Sequence, residues 1–159
     1  MKTKTTITEL NQEDLVDLLC TATYGSNWLE CYAHDKEGVE ITEQDCLEDV
    51  WAKCLLAGKE ISCIDHYAEG EIYGDKKKAS VSEDEEESVC YLITLDDIMK
   101  GLQASADGTF HIGYGDGNSE RAWLKECFDH FADQDRMEMD QPEAEALMQV
   151  IMFNELIYG

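Results

Sequence analysis

Val89-Cys90-Tyr91-Leu92-Ile93-Thr94-Leu95-Asp96-Asp97-Ile98-Met99-Lys100-Gly101-Leu102 holds both element types from which this chain is built. The first five residues are a short apolar run with the composition of a strand. Thr94 then supplies a hydroxyl that can accept from the backbone N–H three residues on. Asp97, at that third position, can return the bond, which is the capping-box arrangement. Leu95, Ile98, Met99 and Leu102 follow at helical spacing and define an inward face. A strand feeding directly into a capped helix predicts a mixed α and β protein.

Working outward, the same reading applies elsewhere. Asn11 predicts a helix start with Asp14 three residues on, an apolar face of Leu15, Val16, Leu18, Leu19 and Ala22, and an end at Gly25. Trp28–Ala33 and Ile61–Tyr67 have strand-like content. Thr42 predicts the cap of a helix through Cys46, Leu47, Val50, Trp51, Cys54 and Leu55, with Gly58 where a left-handed cap is expected. Ser105 to Asn118 reads as a glycine-rich loop. A fourth helix carries Ala122, Trp123, Cys127, Phe128 and Phe131. The last helix has Asp140 as cap, Pro142 in the first turn and Glu143 at the third position, with Leu147, Met148, Ile151, Met152 and Leu156 as its stripe. Five helices and about three strands predict a single α+β domain over residues 1–159, its strands paired antiparallel. The stretch 76–87, from Lys76 to Glu87, segregates charge and has almost nothing to bury, which predicts a mobile loop or a hairpin tip.

Charge is the strongest functional signal. Thirty-six acidic residues face twelve basic ones among 159, a net charge of −24. Self-repulsion of that size destabilises a compact chain, so its use lies in solubility or in a basic partner. Direct nucleic-acid binding needs lysine and arginine to displace counterions. The one basic cluster, Lys76, Lys77 and Lys78, is followed within ten residues by five acids. Direct DNA or RNA binding is therefore disfavoured. A hydrophobic share of 43% argues against wholesale disorder. No long apolar run and no apolar core near Met1 predict a soluble, cytoplasmic protein without membrane contact. Seven cysteines, odd in number and irregularly spaced without a CxxC pair, fit free thiols in a reducing compartment.

Acids also fall in ladders. Glu126, Asp129 and Asp133 are spaced i, i+3, i+7, so they share one helix face with vertical steps of roughly 4.5 to 6 Å. Asp135, Glu138, Asp140, Glu143 and Glu145 continue the negative zone. Between residues 126 and 145 only Arg136 is basic, so ion pairing within the helix is not what these acids serve. A ladder of this kind can imitate a phosphate backbone; the alternative is an ordinary solvated face. Glu9, Glu13 and Asp17 make a second ladder.

Catalytic and metal signatures are weaker. His34, His66, His111 and His130 form no HxxxH or HExxH pattern. Cys63, Asp65, His66 and Cys90 offer ligands from two strands, or alternatively two core thiols and a surface histidine. Residues 107–112 fail the EF-hand pattern. Gly113–Asn118 lacks the lysine and the strand–loop–helix setting of a phosphate loop. Cys31 with His34 has no supporting nucleophile motif. No catalytic residue and no cofactor is assigned. Trp28, Trp51 and Trp123 read as core; Tyr67, Tyr73 and Tyr114 read as exposed, a pairing of aromatics with acids that suits a protein interface.

Thr21–Trp28, Thr94–Leu102 and Glu145–Phe153 give the chain its likeness to known sequences: it resembles small acidic proteins encoded by phages and mobile elements of Gram-positive gut bacteria. The resemblance carries over no catalytic or binding residue. It implies a context in which small acidic products include inhibitors of host defence nucleases, among them anti-CRISPR and anti-restriction proteins. The expectation is an acidic inhibitor occupying the basic groove of a nucleic-acid-binding protein such as a CRISPR effector or restriction enzyme. Glu126, Asp129, Asp133, Asp135, Glu138, Asp140, Glu143 and Glu145 are its partner-binding residues. The alternatives are a regulatory protein whose charge serves solubility, with a homodimer through the apolar last helix, and an enzyme with a non-obvious site.

Overall fold

A computed structural model describes residues 9–74, 78–113, 117–133 and 139–158. Among the described residues the helices are α1 (Gln12–Thr23), α2 (Leu47–Leu56), α3 (Leu95–Asp107), α4 (Asn118–Ala132) and α5 (Gln141–Phe153). Four strands, β1 (Leu29–Tyr32), β2 (Ile61–Asp65), β3 (Ala79–Val81) and β4 (Val89–Ile93), form an antiparallel sheet in the order β1-β2-β4-β3. β5 (His111–Ile112) and β6 (Glu155–Leu156) add a two-residue parallel pair. The α+β domain is as expected, with a fourth strand in the main sheet.

Three helix starts match their sequence signals. Asn11 and Asp14 exchange side-chain bonds with each other's N–H, both at 2.9 Å. Thr94 and Asp97 do the same at α3, and Asp140 and Glu143 at α5. Each box satisfies two N–H groups that the helix leaves without partners.

Three boundaries differ from expectation. α5 ends at Phe153, where Asn154 turns left-handed at φ 51°, so Leu156, expected on its stripe, lies in β6. α2 starts at Leu47, not near Thr42, because Thr42–Asp45 closes a turn of its own. Asp45 Oδ2 accepts from Thr42 N–H at 2.8 Å and pairs with Lys53 at 2.7 Å, while Asp49 takes over as the partner of the Cys46 N–H. Gly58 does adopt positive φ, one residue past the cap at Ala57. The expected loop from Ser105 is helix as far as Asp107. Ser105 satisfies its buried hydroxyl on Gly101 O at 2.9 Å, and Gly108, at φ 72°, ends the helix in the left-handed region.

The core centres on α5. Its residues from Ala146 to Phe153 are all buried, so over this span it is covered on every side, with Gln149 the one polar residue among them, and is not a two-faced surface helix. It packs on α1, α3 and α4. Close approach to α3 depends on Gly101, where an added Cβ would lie 2.5 Å from the Ile151 Cα. Phe153 at its end meets Tyr91 of β4, with ring centroids 5.2 Å apart, which joins the helices to the sheet. The sheet turns Leu29, Cys31, Ile61, Cys63, Val89, Tyr91 and Ile93 toward this core. Among the described residues, no helix is long and apolar enough to cross a membrane.

Candidate functional site: an acidic hairpin and an aromatic cleft

The two acid-rich regions of the sequence have different fates. Around the α4–α5 junction, Glu143 is buried, with one oxygen 2.5 Å from His130 Nδ1 and the other accepting from the Asp140 N–H at 3.2 Å. It also receives the Cys127 thiol, whose pKa burial raises and the neighbouring Glu143 raises further. Cys, His and Glu thus converge, but the thiol is sealed and held protonated, the opposite of an activated nucleophile. Glu145 is half-buried, its Oε2 accepting from Trp28 Nε1 at 2.7 Å. Asp140 caps α5. Asp129 sits 3.5 Å from Lys125 with one oxygen shielded from solvent and without a partner among the described residues. Asp133 is half-buried at the end of α4, its backbone N–H bonded to Asp129 O. Glu126 is exposed, with His130 3.9 Å away. Asp135 and Glu138 lie outside the described residues. Of the expected ladder, Glu126 and Asp140 are the acids that the structure places fully at the surface.

At the β3–β4 hairpin the arrangement is reversed. The expected loop is a hairpin tip: Ala79–Val81 pairs with Val89–Tyr91, and Ser82 N–H donates to Ser88 O at 2.7 Å. Glu83, Asp84, Glu85, Glu86 and Glu87 are all exposed at its turn. The turn is held by Asp84 N–H on Ser82 Oγ, Glu86 N–H on Asp84 Oδ1 and Glu87 N–H on Asp84 O. Gly70 N–H donates to Glu87 O, which brings Glu69 and Glu71 alongside. His66 ties in the next strand: Nδ1 is 2.9 Å from Ser88 Oγ, Nε2 is 2.9 Å from Glu30 Oε1, and Glu86 stands 3.8 Å away. Glu30, Glu69, Glu71 and Glu83–Glu87 therefore form one patch.

Counter-charge is directed elsewhere. Among the described residues, Lys53, Lys59, Lys78, Lys100 and Lys125 pair with Asp45, Asp35, Glu60, Asp96 and Asp129. Arg121 donates to the carbonyls of Gly108, Phe110 and Gly117 and to no carboxylate. No described lysine or arginine pairs with residues 83–87. Sequence reasoning missed Glu30, Glu69 and Glu71; the run 83–87 was its one visible signal.

Beside this patch opens a cleft of about 360 Å³ between the end of α1 and the start of α5. Its aromatic lining is Trp28, Tyr67, Trp123 and Tyr158, and its one carboxylate is Glu145. The ring of Tyr67 stands at 89° to that of Tyr158 with centroids 5.8 Å apart, and Trp28 lies 5.5 Å from Tyr158. Behind them Asp65 is fully buried, accepting from Tyr158 OH at 2.7 Å and from Tyr67 N–H at 2.9 Å. Burial raises the Asp65 pKa, and those two bonds work against the rise. Gln149 holds the other side of Tyr158: its Oε1 accepts from Ile157 and Tyr158 N–H, both at 2.8 Å, and its Nε2 donates to Tyr158 O.

The remaining candidates are dispersed. Cys63 lies on the buried face, 3.7 Å from Cys31 Sγ, while Cys90 pairs with Ile64 on the opposite face and His66 is engaged by Glu30 and Ser88. The four do not converge, and among the described residues no group of three His, Cys, Asp or Glu is placed to hold a metal ion. Trp28 and Trp51 are core and Trp123 is half-buried; Tyr67 is half-exposed, Tyr73 packs on Phe153, and Tyr114 lies outside the described residues. Neither family models, nor curated proteins, nor solved structures match this chain.

Proposed function

We propose that this protein is an acidic inhibitor that binds a basic groove, its carboxylates standing where nucleic-acid phosphates would lie. One observation carries the reading: five consecutive acids, Glu83–Glu87, are exposed on an ordered turn, joined by Glu30, Glu69 and Glu71, with no described lysine or arginine paired to the run. Surface charge without a described lysine or arginine partner raises the local potential and speeds encounter with an oppositely charged surface. Glu126 and Asp140 on the α4–α5 side extend the negative surface, and Asp129, Asp133, Asp135 and Glu138 belong to the same proposal. In the phage and mobile-element context that the sequence resembles, the partner is a cytoplasmic nucleic-acid-handling defence protein of anti-CRISPR or anti-restriction target type.

The test is capture from a Gram-positive lysate at low salt, followed by competition. A captured basic protein should be released at moderate salt, because screening weakens long-range attraction. It should also lose its nucleic acid when this chain is added. Capture that ignores salt, or a partner that binds this chain and nucleic acid together, would support instead a regulatory interaction protein whose charge serves solubility.

A further inference from the structure

We propose that the aromatic cleft between α1 and α5 is a receptor for one arginine side chain, supplied by the basic partner; the identity of that occupant rests on the groove-binding reading above. Its volume of about 360 Å³ lies in the range of sites that enclose small ligands. Tyr67 and Tyr158 meet edge to face at 89° and Trp28 adjoins Tyr158 at 5.5 Å, so rings whose faces differ in orientation line the cleft. Such faces carry negative quadrupole potential and attract a cation placed over them.

Glu145 supplies the formal charge. Its Oε2 is fixed by the Trp28 indole N–H, and no described cation is paired with it. That bond aims the carboxylate and leaves Oε1 as an acceptor. The positive end of the α5 dipole also points this way, but Asp140 and Glu143 cap it with their own carboxylates. An anionic ligand would meet Glu145 and the net charge of the chain. An apolar ligand would bury Glu145 without a counter-ion, which is costly. A cation is the class that satisfies both the rings and the carboxylate.

Guanidinium fits better than ammonium here. It is planar, stacks on aromatic faces and forks onto a carboxylate and an amide oxygen together, and Gln141, whose Nε2 donates to Tyr24 O, lines the same cleft. The walls are also preorganised, which lowers the ordering cost of binding. Asp65 holds Tyr67 and Tyr158, Gln149 clamps residues 157 and 158, and Ser26 Oγ accepts from the Trp28 and Leu29 N–H groups. Placement favours a partner's side chain as the source. Tyr67, half-exposed on the cleft, directly follows His66, which is bonded into the acidic hairpin patch. A basic surface drawn to Glu83–Glu87 arrives beside the cleft.

The experiment is an NMR titration of the isotope-labelled full chain with N-acetyl-arginine methylamide and, in parallel, its neutral citrulline counterpart. The arginine probe should shift the Trp28 indole N–H and the Gln149 side-chain amide saturably in the millimolar range, and the citrulline probe should not. Glu145→Gln should weaken binding at least tenfold. Should Glu145→Gln fold poorly, Tyr67→Ala on the outer wall decides, with an expected several-fold loss. Equal shifts from both probes, or wild-type affinity in Glu145→Gln and Tyr67→Ala, would overturn the inference. If the arginine probe fails while a basic protein is still captured and released by salt, the cleft falls and the groove reading stands. If the probe binds as described and no basic protein is captured, the cleft stands as an arginine site and the groove reading falls.

Discussion

The α4–α5 junction and the β3–β4 hairpin are both dense in carboxylates, yet they use them in opposite directions. At the junction, Glu143 closes a helix cap, binds His130 and receives Cys127, while Glu145 takes the Trp28 indole. At the hairpin, Glu83–Glu87 face solvent, and the backbone, Ser82 and Asp84 hold the turn together. The same residue type is structural where it is buried between a helix start and a histidine, and electrostatic where it stands exposed on a turn. Counting acids along a sequence therefore measures charge, not the surface that presents it.

Removing one acid from each region breaks the comparison most sharply. Glu143→Ala leaves His130, Cys127 and the Asp140 N–H without their common partner, and should destabilise the fold by about 3 kcal/mol in urea unfolding. Glu85→Ala should fall within about 0.5 kcal/mol of wild type. Equal losses at the two sites would mean that the hairpin acids are structural as well.

Titration sharpens the same divide on the buried side. Tyr91 is fully buried, and burial pushes its phenol from 10.0 up to about 12. A group whose pKa is raised by folding contributes its stability below the unfolded value and loses it as pH climbs through the folded one. Stability should thus decline between pH 10 and 12, by up to roughly 3 kcal/mol from this residue. Urea midpoints measured across that window should fall less steeply in Tyr91→Phe than in wild type, the remaining slope coming from Tyr158 and Cys127, whose pKa values burial also raises, although the Tyr73 N–H then loses its acceptor.

Charge reversal at the hairpin probes the outward side. Glu83→Lys with Glu85→Lys and Glu86→Lys should leave stability nearly unchanged and slow association with a basic partner by about tenfold at low salt. The smallest effect is global: raising salt from about 0.02 to 0.5 M should raise the Tm by a few degrees, because screening relieves the self-repulsion of a chain at −24. A Tm that falls with salt would show that the surface ion pairs outweigh the repulsion.

Much of the fold was legible in the sequence because its signals are local. Asn11 with Asp14, Thr94 with Asp97, and Asp140 with Glu143 each specify a helix start within four residues. The start of α2 was misplaced because Thr42 and Cys46 both begin turns closed by an aspartate three residues on, and only tertiary contact through Lys53 separates them. β3 was hidden because three residues in a charged run carry no periodicity; pairing with β4 makes them a strand. The burial of α5 on all sides followed from Gly101 and Ile151, fifty residues apart, which no local pattern links. The site was less legible still. Glu30, Glu69 and Glu71 join Glu83–Glu87 only through sheet pairing and His66, and Trp28 reaches Glu145 across 117 residues.

The most direct measurement is a paired capture from lysate, with wild type beside the Glu83→Lys, Glu85→Lys, Glu86→Lys variant, read by mass spectrometry at rising salt. The account predicts a basic nucleic-acid-binding protein retained by wild type, released at moderate salt and absent from the variant. Equal, salt-insensitive retention by both proteins would contradict it.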